Sequence, residues 1–227
     1  FSPTGWSIVR YHIVTLGCPK NQVDSEMMGS LLRSAGHRPV EAARRADVLI
    51  VNTCGFIAPA REESIQQLRD LAAAKSRRQL LVAVGCLAQR YGASLRQQVP
   101  EVDAVVGTRS WPEIVDVVEA LRGGATGLTR VEERSQVVTS VRREATMGAT
   151  GYLKIADGCD AACAFCAIPL IKGRQQSKPQ TEILREAREL VDQGVRELIL
   201  IAQDSTRYGQ DLGQPDGLPD LLSAICG

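Results

Sequence analysis

Aromatic side chains are scarce in this 227-residue sequence, at 4%, and histidine occurs only twice, as His12 and His37. A chain so poor in rings has no dense stacking surface, and a net charge of +1 gives it no strong basic field, so nothing here signals nucleic-acid binding by this portion unaided. No apolar run approaches the roughly 18 residues of a membrane span, and no membrane segment is expected. The opening FSPTGWSIVR has neither an initiator Met nor a basic stretch leading into an apolar one. It reads as a cut or processed end rather than a signal peptide, and a cytoplasmic location follows by default. What is present is ordinary for a globular protein: 44% hydrophobic and 23% charged residues, in a length that suits one large domain or two modest ones.

The cysteines depart from that ordinary picture. There are seven, an odd number, at positions 18, 54, 86, 159, 163, 166 and 226. In an intracellular-looking chain this favours metal or redox chemistry over a disulfide framework. Both histidines lie far upstream of the 159/163/166 triplet, so a metal site there would be mostly thiolate.

From Tyr11 to Leu121, short β-branched runs alternate with amphipathic stretches, which predicts a parallel sheet with crossover helices. Strands are expected at YHIVTLG, DVLIVNT from Asp47, LLVAVG from Leu80 and DAVVG from Asp103. Val23, Met27, Leu31 and Ala35 mark one helix, and Ile65, Leu68 and Leu71 a second. A further helix carries Ile114, Val117, Val118 and Leu121, with Ser110 and Glu113 as an expected capping box and Gly123 as its stop. The expected fold is therefore α/β, with a flavodoxin-like amino-terminal domain. Between Gly123 and Thr150 no period is sustained, and a boundary is expected near Ala145, giving domains 1–144 and 145–227. A second βαβ follows: strand YLKIA from Tyr152, a cysteine loop, a helix through Ile183, Ala187, Leu190 and Val191, and strand ELILIA. This is barrel-type order, and it stops well short of the ~250 residues of a complete eight-stranded barrel.

Cys159, Cys163 and Cys166 form C-x3-C-x2-C on the loop after that strand. Three thiolates so spaced hold three corners of a cubane cluster and leave the fourth iron open. Bacterial ferredoxin motifs, with a fourth cysteine, do not. A structural zinc site is the alternative, and it would have to recruit a fourth ligand such as Cys226. Cys18, Cys54 and Cys86 are distributed differently, each following a predicted strand. All three thus fall on the carboxyl edge of one parallel sheet, where α/β folds converge on ligands. Taken singly, each also fits a small buried core thiol.

The triplet, with Phe165 just before its last cysteine, is similar to the motif of the radical S-adenosylmethionine superfamily. LGCPKN around Cys18, NTCGFI around Cys54 and VGCLAQRY around Cys86 resemble the three cysteine motifs of methylthiotransferases within it. That resemblance spans almost the whole chain. GCPKN, NTCGF, KIADGCD and AQDST are similar to the branch that modifies a ribosomal protein rather than to the tRNA-modifying branch, which is the alternative.

The resemblance implies a flavodoxin-like domain followed by the start of a radical SAM (β/α) partial barrel. It implies two 4Fe-4S clusters, one on Cys18, Cys54 and Cys86 and one on Cys159, Cys163 and Cys166. S-adenosylmethionine would chelate the open iron of the second. Phe165, Gln203 and Asp204 would stand on the cofactor side, Phe165 against the adenine; a core aromatic, and a cap or turn, are the structural alternatives for these residues. The implied reaction uses a deoxyadenosyl radical to take hydrogen from the β-carbon of an aspartate in ribosomal protein S12, and adds a methylthio group there. An electron donor, the rest of the barrel and a TRAM domain complete the implied system. A reading from another class is an electron-transfer or cluster-carrier module. Where the family commonly has Arg-Gly and Ser-Arg after the cluster loop, this chain has Lys172-Gly173 and Ser177-Lys178. The charge survives but the guanidinium fork does not, and neither lysine is placed in the site.

Overall fold

The computed structural model describes residues 8–132, 141–144, 146 and 148–227. The chain divides into two compact units, Phe1–Glu133 and Arg134–Gly227. Ala145, where the sequence places the boundary, lies outside the described residues.

The first unit runs β1 (Arg10–Thr15), α1 (Pro19–Ser34), β2 (Arg38–Pro39), β3 (Val48–Thr53), α2 (Ala58–Ala74), β4 (Leu80–Gly85), α3 (Cys86–Tyr91), α4 (Leu95–Gln98), β5 (Ala104–Gly107), α5 (Ile114–Arg122) and β6 (Leu128–Arg130). Its strands form one sheet of order β2-β1-β3-β4-β5-β6, and every pairing is parallel. VLIVNT and AVVG are buried at every residue and LLVAVG at all but its first, because helices cover both faces of an all-parallel sheet.

Side chains alternate between those faces along each strand. Leu49, Val51, Leu81, Ala83 and Val105 join Leu68 of α2, Leu87 of α3 and Leu95 of α4 in one core cluster. By that alternation Val48, Ile50, Val82, Val84 and Val106, all buried, line the other face. The helices α1 and α5 pack on one another, and their buried residues include Val23, Met28, Leu32, Val117 and Val118. Each such side chain stabilises the unit by about 1.5–3 kcal/mol.

The four predicted strands are the sheet's centre. The added β2 and β6 are two and three residues long, too short to carry a period. Two local expectations fail. Glu113, not Ser110, precedes α5, no side-chain cap bond forms, and Ser110 Oγ is buried without a partner among the described residues. A single turn of 3-10 helix over Trp111–Glu113 takes up the backbone instead. In α1, Leu32 rather than Leu31 is fully buried and Ala35 is exposed, while Asn21, Asp24 and Ser25 are buried. A four-residue step drifts around a 3.6-residue helix, and polar positions facing the sheet edge lie outside an apolar pattern.

The second unit runs β7 (Thr150–Lys154), β8 (Ala156–Asp157), α6 (Ile168–Lys172), β9 (Gln176–Ser177), α7 (Gln180–Asp192), β10 (Glu197–Ile201) and α8 (Gly217–Cys226). β7 and β10 pair in parallel, from Thr150 opposite Glu197 to Lys154 opposite Ile201, with α7 in the crossover. Leu153, Ile155, Ile183, Ala187, Leu190, Val195, Tyr208 and Leu221 form their core. Of the predicted α7 stripe, Val191 is exposed, and Glu186 is buried on that helix. The small antiparallel ladder of β8 with β9 closes the base of the cysteine loop, pairing Ala156 with Ser177 and Asp157 with Gln176.

Candidate functional site

Two sets of cysteines stand at the carboxyl ends of parallel strands, one set in each unit. In the first unit Cys18 precedes α1, with its carbonyl accepting from Asn21 N–H at 2.9 Å, and Pro19 opens the helix with a φ already fitted to it. Cys54 directly follows β3, and Cys86 is the first residue of α3 after β4. Since β1, β3 and β4 are neighbours in the sheet, the three turns lie side by side.

Two glycines show how closely those turns approach. A side-chain carbon at Gly17 (φ +89°) would stand 2.6 Å from Cys54 Cβ and 3.0 Å from its Sγ. One at Gly55 would stand 2.8 Å from Leu87 Cα and 3.2 Å from the carbonyl carbon of Cys86. The 17–18 turn therefore abuts Cys54, and the 54–55 turn abuts Cys86. Cys54 and Cys86 are buried and Cys18 is half-buried.

Polar side chains the sequence reading did not single out tie these turns together. Asn21 Nδ2 donates to Leu16 O (2.9 Å) and to Thr53 O (3.1 Å). Asn52 Nδ2 donates to Asn21 O (2.8 Å) and Ser25 Oγ (3.0 Å). Thr53 Oγ1 donates to Val84 O (2.5 Å). Ser64 Oγ, from α2, accepts from Cys54 N–H and donates to Cys54 O, both at 3.0 Å. Arg90 Nη1 donates to Gly55 O at 2.9 Å. The signal in the sequence was the polar pair Asn52-Thr53 closing an otherwise apolar strand.

In the second unit the Cys159–Cys166 loop leaves β8 through Gly158 (φ +73°), where any side-chain carbon would collide with the Arg174 and Gly173 carbonyls. Cys159 N–H donates to Gly173 O at 3.1 Å. Cys159 Sγ accepts from Ala161 N–H (3.4 Å) and Cys166 Sγ from Ile168 N–H (3.5 Å), while Cys166 N–H donates to Cys163 O (3.1 Å). Amide donors aimed at sulfur favour thiolates and tune iron-sulfur centres. Cys159 is buried, Cys163 exposed and Cys166 half-buried. Phe165 is 89% exposed, so it is not a core aromatic.

Gln203 and Asp204 are half-buried just past β10. The Asp204 carboxylate accepts from Thr206 N–H (3.1 Å) and Oγ1–H (2.6 Å), which makes it the cap of the following turn. Behind the loop, Lys172 and Lys154 both reach Asp157, at 3.1 and 3.3 Å. Burial alone would raise the Asp157 carboxyl, and the two ammonium groups outweigh that and hold it far below the usual carboxylate range.

Among the described residues, no three His, Cys, Asp or Glu side chains gather around one point as ligands of a single ion would. Cluster ligands are not so constrained, because each thiolate binds a different iron. Two all-cysteine triplets, with amides directed at sulfur in the second, suit iron-sulfur chemistry in donor type.

Sequence comparison bears directly on these units. Residues 10–107 match the profile of the Uncharacterized protein family UPF0004, and residues 153–222 that of the Radical SAM superfamily. A protein of Roseiflexus sp. (strain RS-1), named ribosomal protein uS12 methylthiotransferase RimO, is 46% identical over 96% of this chain and 50% of its own length. The protein of that name from Symbiobacterium thermophilum is 47% identical, over 96% of this chain and 45% of its own. One matched segment lies in each unit, and the chain is similar along nearly its whole length to these relatives. It spans about half the length of the curated relatives it matches.

Among solved structures, the radical S-adenosylmethionine methyltransferase TsrM of Kitasatospora setae, with cobalamin and a [4Fe-4S] cluster bound, superimposes with a TM-score of 0.63 at 14% identity. That match covers 96% of this chain and 52% of that one. The cobalamin-dependent S-adenosylmethionine radical enzyme OxsB gives 0.59 at 10% identity, over 95% and 37%. At such identities the match speaks to fold alone. No helix among the described residues is long and apolar enough to cross a membrane.

Proposed function

We propose that this chain is the amino-terminal portion of a radical SAM methylthiotransferase that places a methylthio group on an aspartate β-carbon of ribosomal protein S12. The observation that carries the reading is the placement of Cys18, Cys54 and Cys86 on adjoining strand ends, in a chain 46% identical to a protein named for that activity. Residues 1–144 would bind one 4Fe-4S cluster through those cysteines. Residues 145–227 would bind another through Cys159, Cys163 and Cys166, with S-adenosylmethionine at the iron left without a cysteine.

When bound, that pair would supply reductive cleavage of S-adenosylmethionine and with it hydrogen abstraction from an unactivated carbon. The β8–β9 ladder and Gly158 fix where the loop leaves the sheet, and the Ala161 and Ile168 amides turn toward sulfur. The exposed Phe165 ring is available to cover the adenine. Gln203 is free to face the cofactor from the β10 end, whereas Asp204 acts one step removed, by shaping the turn after it. A reductant and the ribosomal protein are the partners, in the cytoplasm.

The test is anaerobic reconstitution of the full-length enzyme with iron and sulfide. About eight irons are expected, four per cluster. Changing Cys159, Cys163 and Cys166 to Ala should remove about half of them and abolish S-adenosylmethionine cleavage. Incubation with ribosomal protein S12 should add the mass of one methylthio group. Full iron retention in a Cys18/Cys54/Cys86→Ala variant overturns the two-cluster reading, and modification of tRNA instead of the protein overturns the substrate.

A further inference from the structure

The bonds around the first triad are longer in reach than a helix or strand needs for its own upkeep. Asn21 sits three residues after Cys18, yet its amide spans the carbonyls of Leu16 and Thr53, the residues that lead into Cys18 and Cys54. Thr53 passes the link on to Val84, two residues before Cys86. Ser64 occupies both backbone groups of Cys54 from another element altogether, and it is fully buried. The Leu16, Thr53 and Cys54 carbonyls lie at strand ends, where the parallel ladder runs out and a backbone group must otherwise find water, and the Val84 carbonyl belongs to the last residue but one of β4. The side chains thus convert three fraying ends into one bonded edge, and every bond is internal to the first unit.

We propose that Asn21, Thr53 and Ser64 are positioning residues that set the spacing of Cys18, Cys54 and Cys86 in the metal-free chain, so that this centre is formed before iron arrives. The inference rests on the reading that these three cysteines share a cluster. A centre made by the fold binds iron without first ordering its ligands, and it releases iron slowly because its thiolates have nowhere to relax. Loss of one buried bond of this kind is worth about a tenfold change in an equilibrium or release rate.

The experiment uses the full-length protein with Cys159, Cys163 and Cys166 changed to Ala, so that only the first centre reports. Hydrogen-deuterium exchange of the metal-free protein should show amides at 16–18, 52–55 and 84–87 already protected. In Asn21→Ala and Ser64→Ala, exchange should rise at those segments with the rest of the sheet unchanged. Release of iron to a chelator should be about tenfold faster in both, with Ser64→Thr, which keeps the hydroxyl, close to the parent. A parent that takes up no iron overturns the cluster assignment itself. A parent that binds iron, with metal-free strand ends exchanging at unfolded rates or with both Ala variants releasing iron at the parent's rate, overturns the positioning roles. The exchange measurement on the unsubstituted residues decides the matter even if a variant fails to fold.

Discussion

Glu186 concentrates much of the second unit's polar energetics in one side chain. It is almost wholly buried on α7, with Arg143 Nη1 and Lys178 Nζ each 2.6 Å from its carboxylate oxygens. Arg143 also donates to Tyr152 O. Burial alone would raise the Glu186 carboxyl, but the charges of Lys178 and Arg143 outweigh it and hold the group below its ordinary value. A carboxyl depressed in the folded state adds stability above its unfolded-state value, near pH 4.5, and loses it as pH falls through that value toward the folded one. Glu186→Gln removes the buried charge that Arg143 and Lys178 both face and should cost about 3–5 kcal/mol. Urea melts followed from pH 7 to pH 3.5 should show the variant weaker at neutral pH and with a shallower acid loss than the parent. Equal slopes would assign the acid sensitivity elsewhere. Val191, on the predicted stripe, is exposed instead, because the helix turns its paired charges inward and an apolar periodicity cannot register a carboxylate.

Among the elements, α5 shows most plainly how a correct helix can begin in an unexpected way. Its apolar face is as the spacing predicts, with Ile114, Val117, Val118 and Leu121 buried. Its start is not, since Ser110 Oγ makes no bond among the described residues and Glu113 turns to Arg130 at 3.6 Å. If Ser110 capped the helix, Ser110→Ala would cost about 1 kcal/mol. With its hydroxyl buried and unpartnered, removal should instead leave stability within about 0.5 kcal/mol or raise it. Chemical denaturation of the two proteins side by side distinguishes the cases, and a loss near the full cap value would restore the capping box.

On the scale of the molecule, the first unit carries a complete structural argument of its own. Its sheet is parallel throughout, both faces have helices, and its cysteine-bearing ends are bonded to one another by residues of the same unit. Residues 1–133 expressed alone should therefore fold, with helix and strand signals in circular dichroism and a single cooperative urea transition. A non-cooperative melt would mean that this core does not suffice.

Much of this was legible from residue order. Apolar runs bounded by turns marked the central strands. The recurrence of a cysteine after each of three strands located the first triad on one sheet edge, because the carboxyl ends of parallel strands necessarily share a side. The triplet spacing placed the second set on a single loop. Only the tertiary structure decided what holds them. The two-residue ladder of β8 with β9, the reach of Asn21 to Thr53, Ser64 folding back onto Cys54, and Glu186 between Arg143 and Lys178 all join residues far apart in sequence or too few to make a pattern. Periodicity reports which face of an element is buried, since apolar burial is additive and non-directional. A hydrogen bond depends on where one particular partner lies, and that is settled only when the chain has folded.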